Sequence, residues 1–184
     1  NKLRSNLPDC PFPIRYTSLT AFNARYRQGR ITATGSLVYT NVTEHVKIGD
    51  APADFQRLAP SFTVSLQPWQ EQLLFLRLMY KSTFRMPTFN DLYYYRLGNR
   101  SLRPEKANEY NMGITWSRSF SSFLNYLSVT VDGYYNDVTD KIVAFPTTYA
   151  WKMANYGKVH VTGMDATLAA AASLGKNMVL VVSG

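Results

Sequence analysis

The sequence predicts an all-β chain, patterned as the antiparallel up-and-down strands of a transmembrane β-barrel. Three observations predict it. From Tyr16 onward apolar and polar residues alternate with period two, in stretches of roughly 8 to 18 residues separated by short and long connections in turn. Thirteen tyrosines, ten phenylalanines and three tryptophans suit pleated surfaces with one apolar and one wet side. No apolar run approaches the ~20 residues of a spanning helix. With 184 residues, 46% of them hydrophobic, one soluble domain is also affordable in size, so on pattern alone a soluble β-sandwich is the alternative.

The first strand is predicted over residues 16–27, closed by Gln28-Gly29-Arg30. The second, 31–46, sets Ala33, Gly35, Leu37 and Tyr39 against Thr32, Thr34, Ser36 and Thr40. A polar loop over 47–59 leads to a third strand with Phe62, Val64 and Leu66 on one face, ending at a Pro68-Trp69 turn. The fourth opposes Leu74, Leu76, Leu78 and Tyr80 to Arg77, Lys81, Thr83 and Arg85. After a long loop, 87–107, the fifth alternates Tyr110, Met112, Ile114 and Trp116 with Asn111, Gly113, Thr115 and Ser117, and turns near 119–122. The sixth places Leu127, Val129, Val131 and Tyr135 opposite Ser128, Thr130, Asp132, Tyr134 and Asn136, and runs toward Ile142. The seventh, about 155–172, follows a longer loop, and an eighth begins at 178–182. Tight turns on one side and long loops on the other are the asymmetry of transmembrane barrels.

The net charge of +8 is uneven: Arg77, Lys81, Arg85, Arg96, Arg100, Arg103 and Lys106 face only Asp91 and Glu105 between positions 77 and 106. That implies a local basic surface and not a basic tail. The single cysteine, Cys10, forbids a disulfide within the chain, and no Cys/His cluster has zinc spacing. Nucleophile elbows, phosphate-binding glycine loops and paired acids are lacking, so no enzyme and no cofactor are expected. Asp132, Asp137 and Asp140 lack the pattern of a calcium loop. His45 and His160 read as isolated residues, and the sequons at Asn41 and Asn99 as chance matches. The first residues, Asn1-Lys2-Leu3-Arg4, hold neither an initiator Met nor a signal-peptide core. Both ends read as cut from a longer mature polypeptide.

The run Phe84-Arg85-Met86-Pro87-Thr88-Phe89-Asn90-Asp91-Leu92-Tyr93-Tyr94 is followed by Gly98-Asn99, by Leu102-Arg103-Pro104-Glu105-Lys106-Ala107 and by Glu109-Tyr110-Asn111-Met112-Gly113. Together these closely resemble a stretch of TonB-dependent outer-membrane receptors. Asp132-Gly133-Tyr134-Tyr135-Asn136, Asp140-Lys141-Ile142 and Asn155-Tyr156-Gly157-Lys158 resemble the next strand pair of that family. Pro87 and Pro104 mark strand ends because proline cannot donate to a ladder, and Gly98-Asn99 suits a turn with positive backbone angles. Tyr93, Tyr94 and Tyr95 are expected as an interfacial belt or as side chains at the barrel mouth, the belt being preferred.

The resemblance implies a Gram-negative outer-membrane transporter for a scarce bulky nutrient such as a ferric siderophore, haem, cobalamin or a glycan, energised by TonB. It makes the chain about eight strands of a larger barrel, with 1–15 as loop, 16–184 as hairpin-connected strands and the plug domain absent. Implied partners are outer-membrane lipid, the parent chain's plug, the TonB complex through the absent N-terminal part, the transported molecule and a surface lipoprotein; no nucleic acid is implied. Arg77, Lys81, Arg85, Asp132 and Tyr134 are candidates for the lumen wall, as an anion funnel, as plug contacts or simply as solvated residues. Phe89, Asp91, Tyr93, Tyr94, Tyr95, Arg96, Arg100 and Arg103 are candidates on the extracellular loop, where the arginines would meet an anionic ligand or lipid phosphates. The rival function is that of a soluble secreted β-sandwich binding anionic glycans or other polyanions.

Overall fold

The computed structural model describes residues 2, 11–69, 73–120, 124–173 and 179–184. Cys10, part of the turn expected at 119–122 and Met178 lie outside the described residues. Eight strands follow in order: β1 (Ile14–Gln28), β2 (Ile31–His45), β3 (Phe55–Leu66), β4 (Leu73–Arg85), β5 (Glu105–Ser119), β6 (Leu124–Pro146), β7 (Trp151–Ser173) and β8 (Val179–Ser183). A short helix, α1 (Phe89–Tyr93), interrupts the connection from β4 to β5. The strands form one sheet in sequence order, every neighbour antiparallel.

Because side chains alternate strictly, register decides which residues share a face. Leu74, Trp116, Val129 and Leu168 stand in one row; Leu76, Ile114, Val131 and Ala166 in the next; then Leu78, Met112, Gly133 and Met164; then Tyr80, Tyr110, Tyr135 and Thr162. Nothing among the described residues covers this face: Leu78 is 56% exposed, Met112 58% and Met164 74%. A sandwich would bury these side chains under a second sheet, so the soluble alternative is overturned. On β5 the apolar run is bounded by Asn108 above and Arg118 below. Those ten steps, at ~3.4 Å each and a barrel tilt near 40°, span roughly 25 Å, the height of a lipid-facing band.

The opposite face is polar. Arg77 Nη2 meets Asp132 Oδ1 at 2.9 Å, Thr115 and Thr130 hydroxyls lie 3.1 Å apart, and those of Ser117 and Ser128 2.8 Å apart. The Arg77–Asp132 pair reaches across β5 above Gly113, where a Cβ would collide with Asp132 Oδ1. Gly113→Ala should therefore break this bridge while costing only about 1 kcal/mol, because exposed ion pairs contribute little; an unchanged denaturation midpoint in the Arg77→Ala background would show the two acting together.

Three expectations are corrected. β3 starts at Phe55, inside the loop expected over 47–59. Pro60 fits because β3 and β4 pair only from Ser61↔Lys81 downward, so the ladder to β4 requires no donor from it. β6 and β7 continue to Pro146 and Trp151 and are joined by residues 147–150 alone, so the long loop expected there is a tall hairpin. Val138, Ile142, Val143 and Phe145 sustain strand pairing through the intervening polar residues. Finally, the aromatic row at the upper margin of the band is built from Tyr80, Tyr110 and Tyr135, with ring centroids 5.1 Å and 6.1 Å apart.

Candidate functional site at the inner mouth of the wall

The segment 86–104 leaves β4 beyond Arg85 and folds onto the polar face. Pro87 stops the ladder, and Thr88 caps α1 through a capping box: Asp91 N–H donates to Thr88 Oγ1, and Thr88 N–H donates to the Asp91 carboxylate. Asp91 also lies 3.5 Å from Arg85, whose guanidinium pairs with Glu105 at 3.2 Å. One arginine thus ties the start of the segment to its end. Leu92, on the inner side of α1, packs with Leu102 and Ile142, flanked by Tyr93 and Met153.

The return path is clamped by Asn155. Its Oδ1 accepts from Arg103 N–H at 2.8 Å, and its Nδ2 donates to the carbonyls of Arg103 at 2.9 Å and Asp140 at 2.7 Å. Arg103 and Asp140 also form an ion pair at 2.6 Å. Asn155→Ala removes all three bonds. A local loss of about 1–3 kcal/mol is expected, read as faster amide exchange at Arg103 with the global denaturation midpoint nearly unchanged.

Backbone requirements differ from expectation here. Arg96, not Gly98, takes the left-handed conformation, with φ of 63°. Gly98 is needed for close approach, since a Cβ would strike the backbone of Leu92 and Tyr94. At the far side, Arg15 and Glu44 are cross-strand neighbours, with Arg15 Nε donating to Glu44 Oε2 at 2.7 Å. Tyr93 donates its hydroxyl proton to the same carboxylate. Burial, and then the bond to Glu44, push the Tyr93 pKa well above the usual tyrosine range.

Tyr93 therefore does not join a lipid-facing belt: it turns inward to the face that Glu44 shares with Val42 and Thr40. Phe89 lies beneath the Arg15 guanidinium at 4.9 Å, and Arg100 covers the Tyr93 ring at 5.4 Å. Tyr94 and Tyr95 remain more than half exposed, and Arg96 stacks on Tyr95 at 5.2 Å. Lys81 faces the polar side in register with Glu109. Asp132 stands beside Asp165 in its row, and Tyr134 lies across Gly163. The structure thus brings together Arg85, Phe89, Asp91, Tyr93 and Arg100, with Arg103 at the clamp. Arg77, Asp132 and Tyr134 sit lower on the wall, and Arg77 is neutralised by Asp132.

Arg15, Glu44 and Asn155 complete the site without having been singled out in the sequence. Asn155 already stood in the Asn155-Tyr156-Gly157-Lys158 motif, but its clamp needs a partner 52 residues away. His160 is likewise not isolated, since it stacks on Tyr135 and lies 3.4 Å from Asp137. A cavity of about 280 Å3 opens between the two loops, lined among others by Arg15, Glu44, Pro52, Phe55, Arg100 and Arg103. Its walls are mainly apolar, and of the arginines that line it Arg15 is paired with Glu44 and Arg103 with Asp140. Among the described residues no group of three metal-ligating side chains converges.

The TonB dependent receptor-like β-barrel family matches residues 8–182. The chain belongs to that family. As a TonB-dependent receptor barrel it is a protein of the Gram-negative outer membrane, and its uncovered apolar face is the lipid side. It is 32% identical over 84 residues to the vitamin B12 transporter BtuB of Vibrio vulnificus, a match covering 45% of this chain and 13% of the relative. The fold is shared with the hemophore receptor HasR of Serratia marcescens, solved with its hemophore HasA and heme, at a TM-score of 0.72 and 17% identity over 85% of this chain and 32% of that one. It is shared also with the FrpB iron transporter of Neisseria meningitidis, at 0.63 and 18% over 89% and 24%. The TonB-dependent receptor barrel described here thus spans a third or less of each of these relatives.

Proposed function

We propose that the chain is part of the wall of an active importer for a scarce bulky nutrient, a ferric siderophore, haem, cobalamin or a glycan, energised through TonB and a plug carried elsewhere in the parent protein. The observation that carries this reading is the division of one sheet into an uncovered apolar band and an ion-paired polar face on which the 86–104 segment is folded. A wall so divided separates lipid from a watery bore, and the cavity beside Arg100 supplies part of the grip at its mouth. Membership of a family whose relatives include a vitamin B12 transporter and an iron transporter supports the cargo class.

Growth tests this directly. A strain lacking the parent gene should fail on one sole source among ferric siderophores, haem and cobalamin, and recover when the intact gene is returned. Unimpaired growth on all of them, with normal uptake of glycans, would remove the transporter reading.

A further inference from the structure

The lipid side carries a second feature just above the apolar band, on β5, β6 and β7. Two positions beyond Tyr110 on β5 comes Asn108, in a row with Asp137 and His160; the next row holds Lys106, Thr139 and Lys158. Strands ~4.8 Å apart set the two lysine backbones about 10 Å apart across Thr139. Lys141 follows on the same face of β6, about 7 Å further along. Lys106 and Lys158 are exposed and Lys141 half-buried. Among the described residues none of the three forms an ion pair, and the nearest acid on this face, Asp137, is turned to His160. Three ammonium groups thus surround one hydroxyl, with Asp137, one row below, as the nearest carboxylate on this face.

Directly below, on the same strands, Gly133 leaves a notch between Met112 and Met164. It forms the floor of an open groove of about 630 Å3, walled by Phe62, Val64, Leu78, Tyr80, Met112 and Tyr135. Gly133 and Thr139 are six residues apart, about 20 Å along the strand and about 15 Å in depth after tilt. The groove therefore lies in the acyl layer, while the lysines lie at headgroup level.

We propose that these two features are one binding site for a phosphorylated lipid of the outer leaflet, its phosphate held by Lys106, Lys141 and Lys158 and one acyl chain laid in the Gly133 notch. Ammonium groups act as compact point charges toward phosphate and require no fixed fork geometry. The place of the lysines on the lipid side, at headgroup level above the groove, selects a lipid over a soluble anion. The site rests on the membrane placement of the barrel and is independent of the cargo.

The test uses the full-length parent protein in detergent, incubated with bis-phosphorylated lipid A or with its dephosphorylated counterpart and read by native mass spectrometry. The phosphorylated lipid should be retained on the order of 100-fold better, since each lysine near an anionic group contributes about five-fold. Combined substitution Lys106→Gln, Lys141→Gln and Lys158→Gln should erase that preference, and Gly133→Leu should weaken retention of both lipids. Equal retention of the two lipids by the unaltered protein, an undiminished preference in the triple variant, or displacement by millimolar inorganic phosphate would each overturn the proposal. The unaltered protein alone decides the first and third outcomes, whatever the variants do to folding.

Discussion

Ile114→Arg is expected to lower the stability of the parent barrel by about 2–4 kcal/mol, the cost of a cationic side chain near the bilayer midplane. Ile114 sits between Leu76 and Val131 in its register row, with Met112 and Trp116 to either side on the same face of β5. No carboxylate stands in these rows to compensate the charge. Asn108→Arg, at the upper margin of the same strand face, should cost at most about 1 kcal/mol, because the side chain reaches headgroups there. Asn111→Arg, one residue from Met112 but on the watery face, should be similarly mild. The three variants differ in face and depth while adding the same group, so the ranking tests the membrane assignment and not arginine itself. Denaturant midpoints of the full-length protein refolded into lipid vesicles supply the measurement. A loss below 1 kcal/mol for Ile114→Arg, or a loss for Asn111→Arg as large, would show that β5 does not face lipid where its apolar residues point.

The strand faces were legible because a slip of one residue would exchange every side chain between lipid and water. Leu78 and Lys81, or Val131 and Asp132, admit no compromise register, and they fall as the alternation predicts. The ends of β6 and β7 were not legible, since the sixth strand is predicted only toward Ile142 and the seventh only from about 155, with a longer loop between. Their polarity reflects a wall that rises beyond the bilayer, wet on its outer side and covered on its inner side around Ile142 by Leu92 and Leu102. The site was half legible. Local devices such as Thr88 with Asp91 follow from spacing along the chain, whereas Tyr93 meets Glu44 from 49 residues away, and Arg103 meets Asn155 from 52. Such pairings arise only once a curved sheet brings β2 and β7 to either side of the same inward-folded segment, and no local pattern encodes that curvature. The preference for Tyr93 at the interface failed for a related reason: residue type favours a belt, but the direction of α1 sends the ring to the carboxylate.

Glu44→Ala should free the 86–104 segment from the inner face. The Glu44 side chain is only 4% exposed and that of Arg15 10%. Deleting the carboxylate therefore takes one partner from a guanidinium in a site nearly closed to water, and breaking such a buried pair is expected to cost about 3 kcal/mol. The same deletion leaves the Tyr93 hydroxyl without its acceptor, while Phe89 under Arg15 and Arg100 over Tyr93 lose the side chains they stack against in place. Most of the loss should appear locally, as faster hydrogen exchange at the amides of Leu92, Tyr94, Gly98 and Asn99, whose bonds hold the segment together. Exchange at β5 and β6 amides within the apolar band should stay slow. Alkali should act on the same contact in a defined direction. Tyr93 has a raised pKa in the folded chain, so its neutral, donating form is the one the fold favours. The stabilisation it contributes is fully present below the ordinary tyrosine pKa of about 10 and declines as pH rises from there toward the higher folded value. The contribution of this residue to docking should thus be constant between pH 6 and 9 and weaken above about 10, and Tyr93→Phe should abolish that alkaline weakening while lowering docking at neutral pH by about 1 kcal/mol. If segment exchange in Glu44→Ala matches the unaltered protein, the carboxylate is not what holds the segment, and Leu92 packing against Leu102 and Ile142 must suffice.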